Sequence, residues 1–322
     1  TVEEKSDYDA YQKDKETYLY RMTYNIKEDN ADTTKKAVVP KGAEVLLESR
    51  YPYLDDSQIR YILYSTAVSS GYSVLDDAEG WGRLNLFEAA NGYGAFDTNV
   101  TVNMDASKGG FNVADNWKND ISGTGSLTKE GSGMLVLSGN NSYTGNTIVD
   151  GGSIRADYAS AFGNSSIVNN SVINENTDDT LIINGNYKQN KSGVLELTIS
   201  NENDYVDITG NAELGGKLVL NFKDYIPSTD AEIIKCASVA SQFDEIEINA
   251  PEGFEGKIAY NDNGVDLVFS QKTDNNTAQN EISSPQTGDT SHVVMAFTAF
   301  VLFLEVFDDV FFVEFVAVLV VF

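Results

Sequence analysis

One cysteine, one histidine and five prolines are all that this 322-residue chain holds of those three residue types, and its 22 basic residues face 49 acidic ones. Cys236 has no second cysteine to pair with inside the chain. Its setting, IIKCASVA, predicts a small buried side chain. A single histidine, His292 in the tail, leaves two-histidine chemistry unassembled, and an Asp–His–Ser set fails on the same count. The net charge of −27 argues against nucleic acid and anionic lipid as partners, since both need a basic surface. It predicts a well-solvated outer face instead. Nothing near Thr1 resembles a basic segment followed by an apolar core, so the chain is expected to start partway through a longer protein. The apolar run 293–304 falls short of the ~20 residues a membrane span needs.

The residues that are present divide the chain. Residues 1–36 are polar, and Tyr11, Tyr18 and Met22 give a modest helical stripe, which predicts an exposed helical linker. Residues 37–97 read as a small helical connector. Pro40 opens GAEVLLES as one helix. Asp56 or Ser57 is the expected cap of a second, carrying Ile59, Ile62, Leu63 and Ala67. Leu84, Phe87 and Ala90 suggest a third, bracketed by Gly82 and Gly92. Some sixty residues of this kind can pack only a small core, so they are expected to lean on a neighbour.

From 98 to 270 the period changes to two. Leu135 and Leu137 alternate with Val136 and Ser138, and Leu195, Leu197 and Ile199 with Glu196 and Thr198. Leu218, Leu220 and Phe222 continue the pattern, and Val265, Leu267 and Phe269 close it. Short alternating runs bounded by Gly, Asn or Asp mark strands with one buried face. Their recurrence without intervening helices leaves sandwich, barrel or solenoid. The pairs Asn140–Asn141, Gly145–Asn146 and Gly151–Gly152 sit where the corners of a stacked coil need positive φ, which favours a mainly β chain built as a parallel β-helix. Residues 271–283 (QKTDNNTAQNEIS) read as a disordered tether.

The stretch GSLTKEGSGMLVLSGNNSYTGNTIVDGGSI, within about 123–155, resembles the autotransporter-associated β-strand repeat. Its defining positions are Leu127, Lys129, Gly131, Gly133, Leu135, Leu137, Gly139, Asn141, Tyr143, Gly145 and Thr147. That family implies a right-handed parallel β-helix on a bacterial surface. Residues 15–155 also resemble the region behind the catalytic domain in secreted bacterial acid phosphatases of the type-2 phosphatidic acid phosphatase superfamily. The stretches PYLDDSQIRYILYSTA and GWGRLNLFEAA look like the C-terminal helices of subtilisin-like proteases. The phosphatase motifs themselves are missing: no P-S-G-H occurs, and SSGY at 69–72 has tyrosine at the key position.

Ser284, Pro285, Gln286, Thr287 and Gly288, followed by the apolar run, resemble an LPXTG-like sortase signal. The resemblance implies sortase and peptidoglycan as partners, a wall or membrane anchor through a transmembrane helix, and a Gram-positive-type surface. No Lys or Arg follows Lys272, and Glu305, Asp308, Asp309 and Glu314 interrupt the end, which points to an altered reading frame near 304 or an atypical anchor.

No catalytic residue, cofactor site or metal site is expected. Asp76, Asp77 and Glu79 lack the spacing of a calcium loop and read as a solvated turn. Trp81 and Trp117 are expected in packing rather than on a carbohydrate platform. The first expectation is a non-catalytic surface stalk trailing an upstream phosphatase domain. The alternative is a passenger-type adhesin with a host or matrix ligand. Further alternatives are the trailing part of a subtilisin-like surface protease and a polysaccharide-cleaving β-helix.

Overall fold

The computed structural model of the chain describes residues 41–68, 81–223, 225, 227, 229–271, 299–307 and 310–318. The linker 1–36, the tether apart from Gln271, the signal residues 284–288, the acids Asp76, Asp77 and Glu79, and His292 lie outside them. The chain divides into two compact units, Thr1–Lys272 and Thr273–Phe322.

The first unit begins with three helices. Helix α1 (Lys41–Arg50) follows Pro40, as its sequence predicts. Helix α2 (Asp56–Ser65) is capped by Asp55 rather than by Asp56 or Ser57. The Asp55 carboxylate accepts from the Gln58 amide while the Gln58 side chain accepts from the Asp55 amide. This reciprocal pair needs a residue three positions before Gln58, and only Asp55 stands there. Ile59, Ile62 and Leu63 are buried. Helix α3 (Leu86–Ala89) buries Leu86 and Ala89 but leaves Phe87 60% exposed. The predicted stripe of Leu84, Phe87 and Ala90 is therefore shifted by one residue, because a single turn capped by Asn85 presents the other side of the segment.

A short strand β1 (Ala95–Phe96) leads into the solenoid. One sheet is built from β2 (Val100–Asn103), β5 (Leu127–Glu130), β7 (Thr147–Val149), β9 (Ile167–Asn169), β12 (Tyr187–Gln189), β14 (Val206–Glu213) and β16 (Ala231–Val239). The other is built from β3 (Ala114–Trp117), β6 (Met134–Leu137), β8 (Ser153–Ala156), β10 (Val172–Glu175), β13 (Val194–Ile199), β15 (Lys217–Phe222) and β17 (Glu245–Asn249). Strand β4 (Ser122–Gly123) pairs with β1 as a separate two-stranded sheet, and β11 (Leu181–Ile183) joins the first sheet beside the start of β14. All these neighbours run parallel, and the whole is a parallel β-solenoid of about 6 turns.

The register shows the repeat directly. Leu127 lies beside Thr147, Thr147 beside Ile167 and Ile167 beside Tyr187, an advance of 20 residues at each step. Beyond Tyr187 the partner is Ala212, then Val239, so the later coils are longer. The inward alternation holds: Leu135, Leu137, Leu195, Leu197, Ile199, Leu218 and Leu220 are all buried. Val136 departs from it and is also buried, although it faces outward between Asn116 and Arg155 of the adjoining coils. Cys236 is buried, as its context predicts.

The coil series ends in a change of direction. β18 (Phe254–Asn261) and β19 (Gly264–Gln271) form an antiparallel hairpin, and β19 pairs antiparallel with β16. Residue 271 thus belongs to a strand and not to the expected tether. The hairpin covers the exposed backbone edge that the last coil of this sheet would otherwise present.

In the second unit, β20 (Ala299–Phe307) pairs antiparallel with β21 (Val310–Val318). A transmembrane helix was the expectation for this apolar run. Its valine and phenylalanine content favours extended backbone, where branched and aromatic side chains are least crowded. No helix among the described residues is long and apolar enough to cross a membrane.

Candidate functional site: coil corners and the helical joint

The residues that define the repeat fill the interior of the coils or hold one coil to the next. Leu127, Leu135 and Leu137 fill the interior. Asn141 is buried at a corner, where its Oδ1 accepts from the Ile121 amide at 2.8 Å and its Nδ2 donates to the Ala161 carbonyl at 2.6 Å. One side chain therefore links three successive coils. The Tyr143 hydroxyl meets Thr147 Oγ1 at 2.8 Å, and Thr147 meets Ser165 Oγ at 3.0 Å. Burial pushes the Tyr143 phenol up to about 12, which keeps it neutral.

Gly133, Gly139 and Gly145 are needed for room rather than for their φ angles. A Cβ on Gly139 would lie 2.0 Å from the Asn119 carbonyl oxygen, and one on Gly145 would lie 2.2 Å from that of Gly125. Positive φ was the expected reason for the corner glycines; of Gly145, Gly151 and Gly152, only Gly152 has it, at 59°. The sharp constraint is the distance between stacked backbones, about 4.8 Å across a ladder.

An inward polar column runs through one corner. Lys129, Val149, Asn169 and Gln189 occupy the same register in successive coils. Lys129 Nζ donates to the carbonyls of Glu130 at 2.7 Å, Gly151 at 3.1 Å and Gly131 at 3.4 Å. Burial lowers its ammonium to about 8, and the three carbonyls match its three donors. Gln189 Nε2 likewise reaches the carbonyls of Gly193, Gly215 and Lys217. These side chains satisfy backbone oxygens where the chain turns.

The helices are joined to the first coils by a second network. Arg50 Nη1 donates to Asp115 Oδ2 at 2.6 Å, Tyr53 donates to the same oxygen, and Trp117 Nε1 donates to the Tyr53 hydroxyl at 3.0 Å. Gln58 Nε2 reaches the Thr101 carbonyl at 2.7 Å. Tyr93 lies 5.1 Å from Trp117 and 5.4 Å from Phe96, and Phe96 lies 5.0 Å from Tyr143, centroid to centroid. The connector thus leans on the coil, and Trp117 serves packing. Trp81 stacks on Tyr64 at 5.2 Å.

The outer faces are polar ladders. Asn249 donates to Asn221 at 2.7 Å, and Asn221 donates to Glu196 at 2.9 Å. Lys217 pairs with Glu245 at 2.8 Å and with Glu247 at 2.7 Å. No group of three His, Cys, Asp or Glu side chains suited to a metal occurs among the described residues.

Sequence reasoning passed over one cluster, the buried carboxylates Glu175 and Asp204. The signal for Glu175 was parity. Glu175 stands two residues after the inward Ile173, so its side chain must also turn inward.

Residues 127–156 match the passenger-associated-transport-repeat. The chain is 35% identical over 194 residues to the Neisserial autotransporter lipoprotein NalP of Neisseria meningitidis serogroup B, a match covering 58% of this chain and 17% of that protein. It is 31% identical over 160 residues to an extracellular serine protease of Serratia marcescens, covering 40% of this chain and 15% of that protein. It is 51% identical over 47 residues to the adhesin BmaC autotransporter of Brucella suis, covering 15% of this chain and 1% of that protein. The chain spans about a sixth of the length of the first of these relatives.

These matches overturn the acid phosphatase parentage, the sortase signal and the Gram-positive wall anchor. The relatives are autotransporters and an extracellular protease of Gram-negative bacteria. Likeness across 15–155 does not identify what precedes those residues, because a shared fold or repeat does not carry a function with it.

Proposed function

We propose that this chain is a surface-exposed solenoid of the autotransporter passenger type, a support and recognition module that lies outside the cell. The observation that carries this reading is the use of the repeat. Its hallmark residues over 127–156 fill the interior of the coils or close one coil onto its neighbours. A second support is the joint at Asp115, which makes the helices and the first coils one packed body. The helices themselves are therefore held in a fixed direction by the solenoid.

Two uses follow for such a support. As an adhesin-like module it would offer its polar ladders to a host or matrix ligand, in keeping with the match to the Brucella adhesin autotransporter. As the trailing part of a secreted serine protease it would carry an upstream catalytic domain. The likeness of PYLDDSQIRYILYSTA and GWGRLNLFEAA to the C-terminal helices of subtilisin-like proteases favours this second reading, together with the Serratia relative.

The test is display. The chain is fused upstream of an autotransporter β-barrel in a Gram-negative host, and intact cells are treated with protease. Exposure of the solenoid at the surface is expected. Retention of folded solenoid in the periplasm would overturn the passenger reading.

A further inference from the structure

Glu175 ends β10 with its side chain turned into the coil, and Asp204 lies in the turn that precedes β14 one coil later. They are only 2% and 3% exposed. Glu175 Oε1 accepts from the Thr177 amide at 2.5 Å, and Oε2 accepts from the Thr198 amide at 3.2 Å. Asp204 Oδ2 accepts from the amide and the hydroxyl of Ser200, both at 2.8 Å. Asp204 Oδ1 is buried and has no partner among the described residues. The amides that hold the two carboxylates, of Thr198 and Ser200, stand two positions apart on one stretch of backbone, and the charge of Asp204, after burial itself, raises the Glu175 carboxyl. Asp178 and Asp179 add further negative charge beside Asp204.

Among the described residues no basic side chain balances this corner. Neither Glu175 nor Asp204 enters an ion pair among the described residues, and Lys223 approaches only Asp178, at 3.9 Å on the exposed rim. Two buried carboxylates with an orphaned oxygen are strongly unfavourable unless a cation or a proton joins them. The oxygens placed together here are hard donors: two carboxylates, with the Ser200 hydroxyl on Asp204 and the Thr177 hydroxyl beside Glu175. Such a set suits calcium or magnesium rather than zinc.

We propose that the turns 175–179 and 200–204 form a calcium-class cation site, with Glu175 and Asp204 as its carboxylate ligands. The ion bridges two adjoining coils and so fastens the solenoid where its coils lengthen from 20 residues. With two carboxylates the affinity belongs to the weak extracellular range, about 0.1–1 mM. The inference goes beyond the passenger reading and does not rest on it.

The experiment is a thermal unfolding titration of the full chain at pH 7.5, stripped with EDTA and then supplied with calcium chloride. At 10 mM calcium the midpoint is expected to rise by about 3–10 °C, beyond a sodium chloride control of equal ionic strength. Isothermal titration with calcium alone is expected to give one site. The rise should vanish in Asp204→Asn and Glu175→Gln. No calcium-dependent rise in the parent chain would overturn the proposal, whether or not the variants fold. So would an equal rise in both variants. A midpoint that responds only to acidification would show the pair held by a shared proton instead.

Discussion

Arg50 and Asp115 stand 65 positions apart in the chain, and the Arg50 guanidinium lies 2.6 Å from a carboxylate whose side chain is 1% exposed. A helix end and the first strand of a coil are thereby locked by one charge pair. Tyr53 shares the same carboxylate, so Asp115 serves as the hub of the joint.

Replacing Arg50 by Met leaves the Asp115 charge buried with the Tyr53 hydroxyl as its remaining side-chain donor. Loss of one partner from a buried pair typically costs about 3–5 kcal/mol. Arg50→Met is expected to fall near the lower end, because Tyr53 persists. The double variant with Asp115→Asn should recover part of the loss, since the uncompensated charge is gone. Urea unfolding curves of the three proteins check this, and a double variant no better than the single one would count against the charge argument.

Gly92 is the second fixed point of the joint. Its φ is +115°, and a Cβ there would lie 2.9 Å from the Trp117 side chain. Gly92→Ala is expected to destabilise by about 2–4 kcal/mol through strain and the displaced indole together. Tryptophan fluorescence should shift as Trp117 moves. An unchanged spectrum with unchanged stability would show that the backbone relaxes freely here.

The coils were legible because their signal is local. Inward leucines two apart, and a repeat with glycines at set positions, specify a stacked strand without knowledge of distant residues. The joint was not legible in the same way. Asp115 is a polar residue in a short strand, and only its meeting with Arg50 and Tyr53 gives it a role. Glu175 lay between these cases. Its parity with Ile173 held an unread signal for an inward side chain, while Asp204 sits in an irregular turn with no period to place it. Phe87 misled because a four-residue helix carries too little periodicity to fix which side is buried.

Lys129 is the part of the repeat most open to test. Its three carbonyl partners lie at the turn, and the next coil fills the same register with Val149. Lys129→Met keeps the apolar stem and removes the donors, leaving oxygens unpaired at the corner. A loss of about 1–3 kcal/mol is expected. Chemical denaturation measures it. A Met variant as stable as the parent would show that water reaches those carbonyls once the ammonium is gone.

The carboxylate corner sets a pH dependence of definite sign. Burial, and then the charge of Asp204, raise the Glu175 carboxyl from 4.5 to about 7, while in the unfolded chain it titrates at its ordinary value. Between these pH values the folded state holds a proton that the unfolded state has released, so stability falls as pH rises through the window. The Asp204 carboxyl is raised by burial as well, against the hydrogen bonds from Ser200, and acts in the same direction. In EDTA the Glu175 contribution lost between pH 4.5 and 7 is about 3 kcal/mol. Glu175→Gln carries no titrating proton, so it should flatten this part of the profile and be more stable than the parent at pH 8. Unfolding free energies measured at half-unit steps from pH 4 to 8 decide the matter. A parent profile that rises across the window would mean that Glu175 is ionised in the folded coil, with a compensating positive charge beside it that the described residues do not supply.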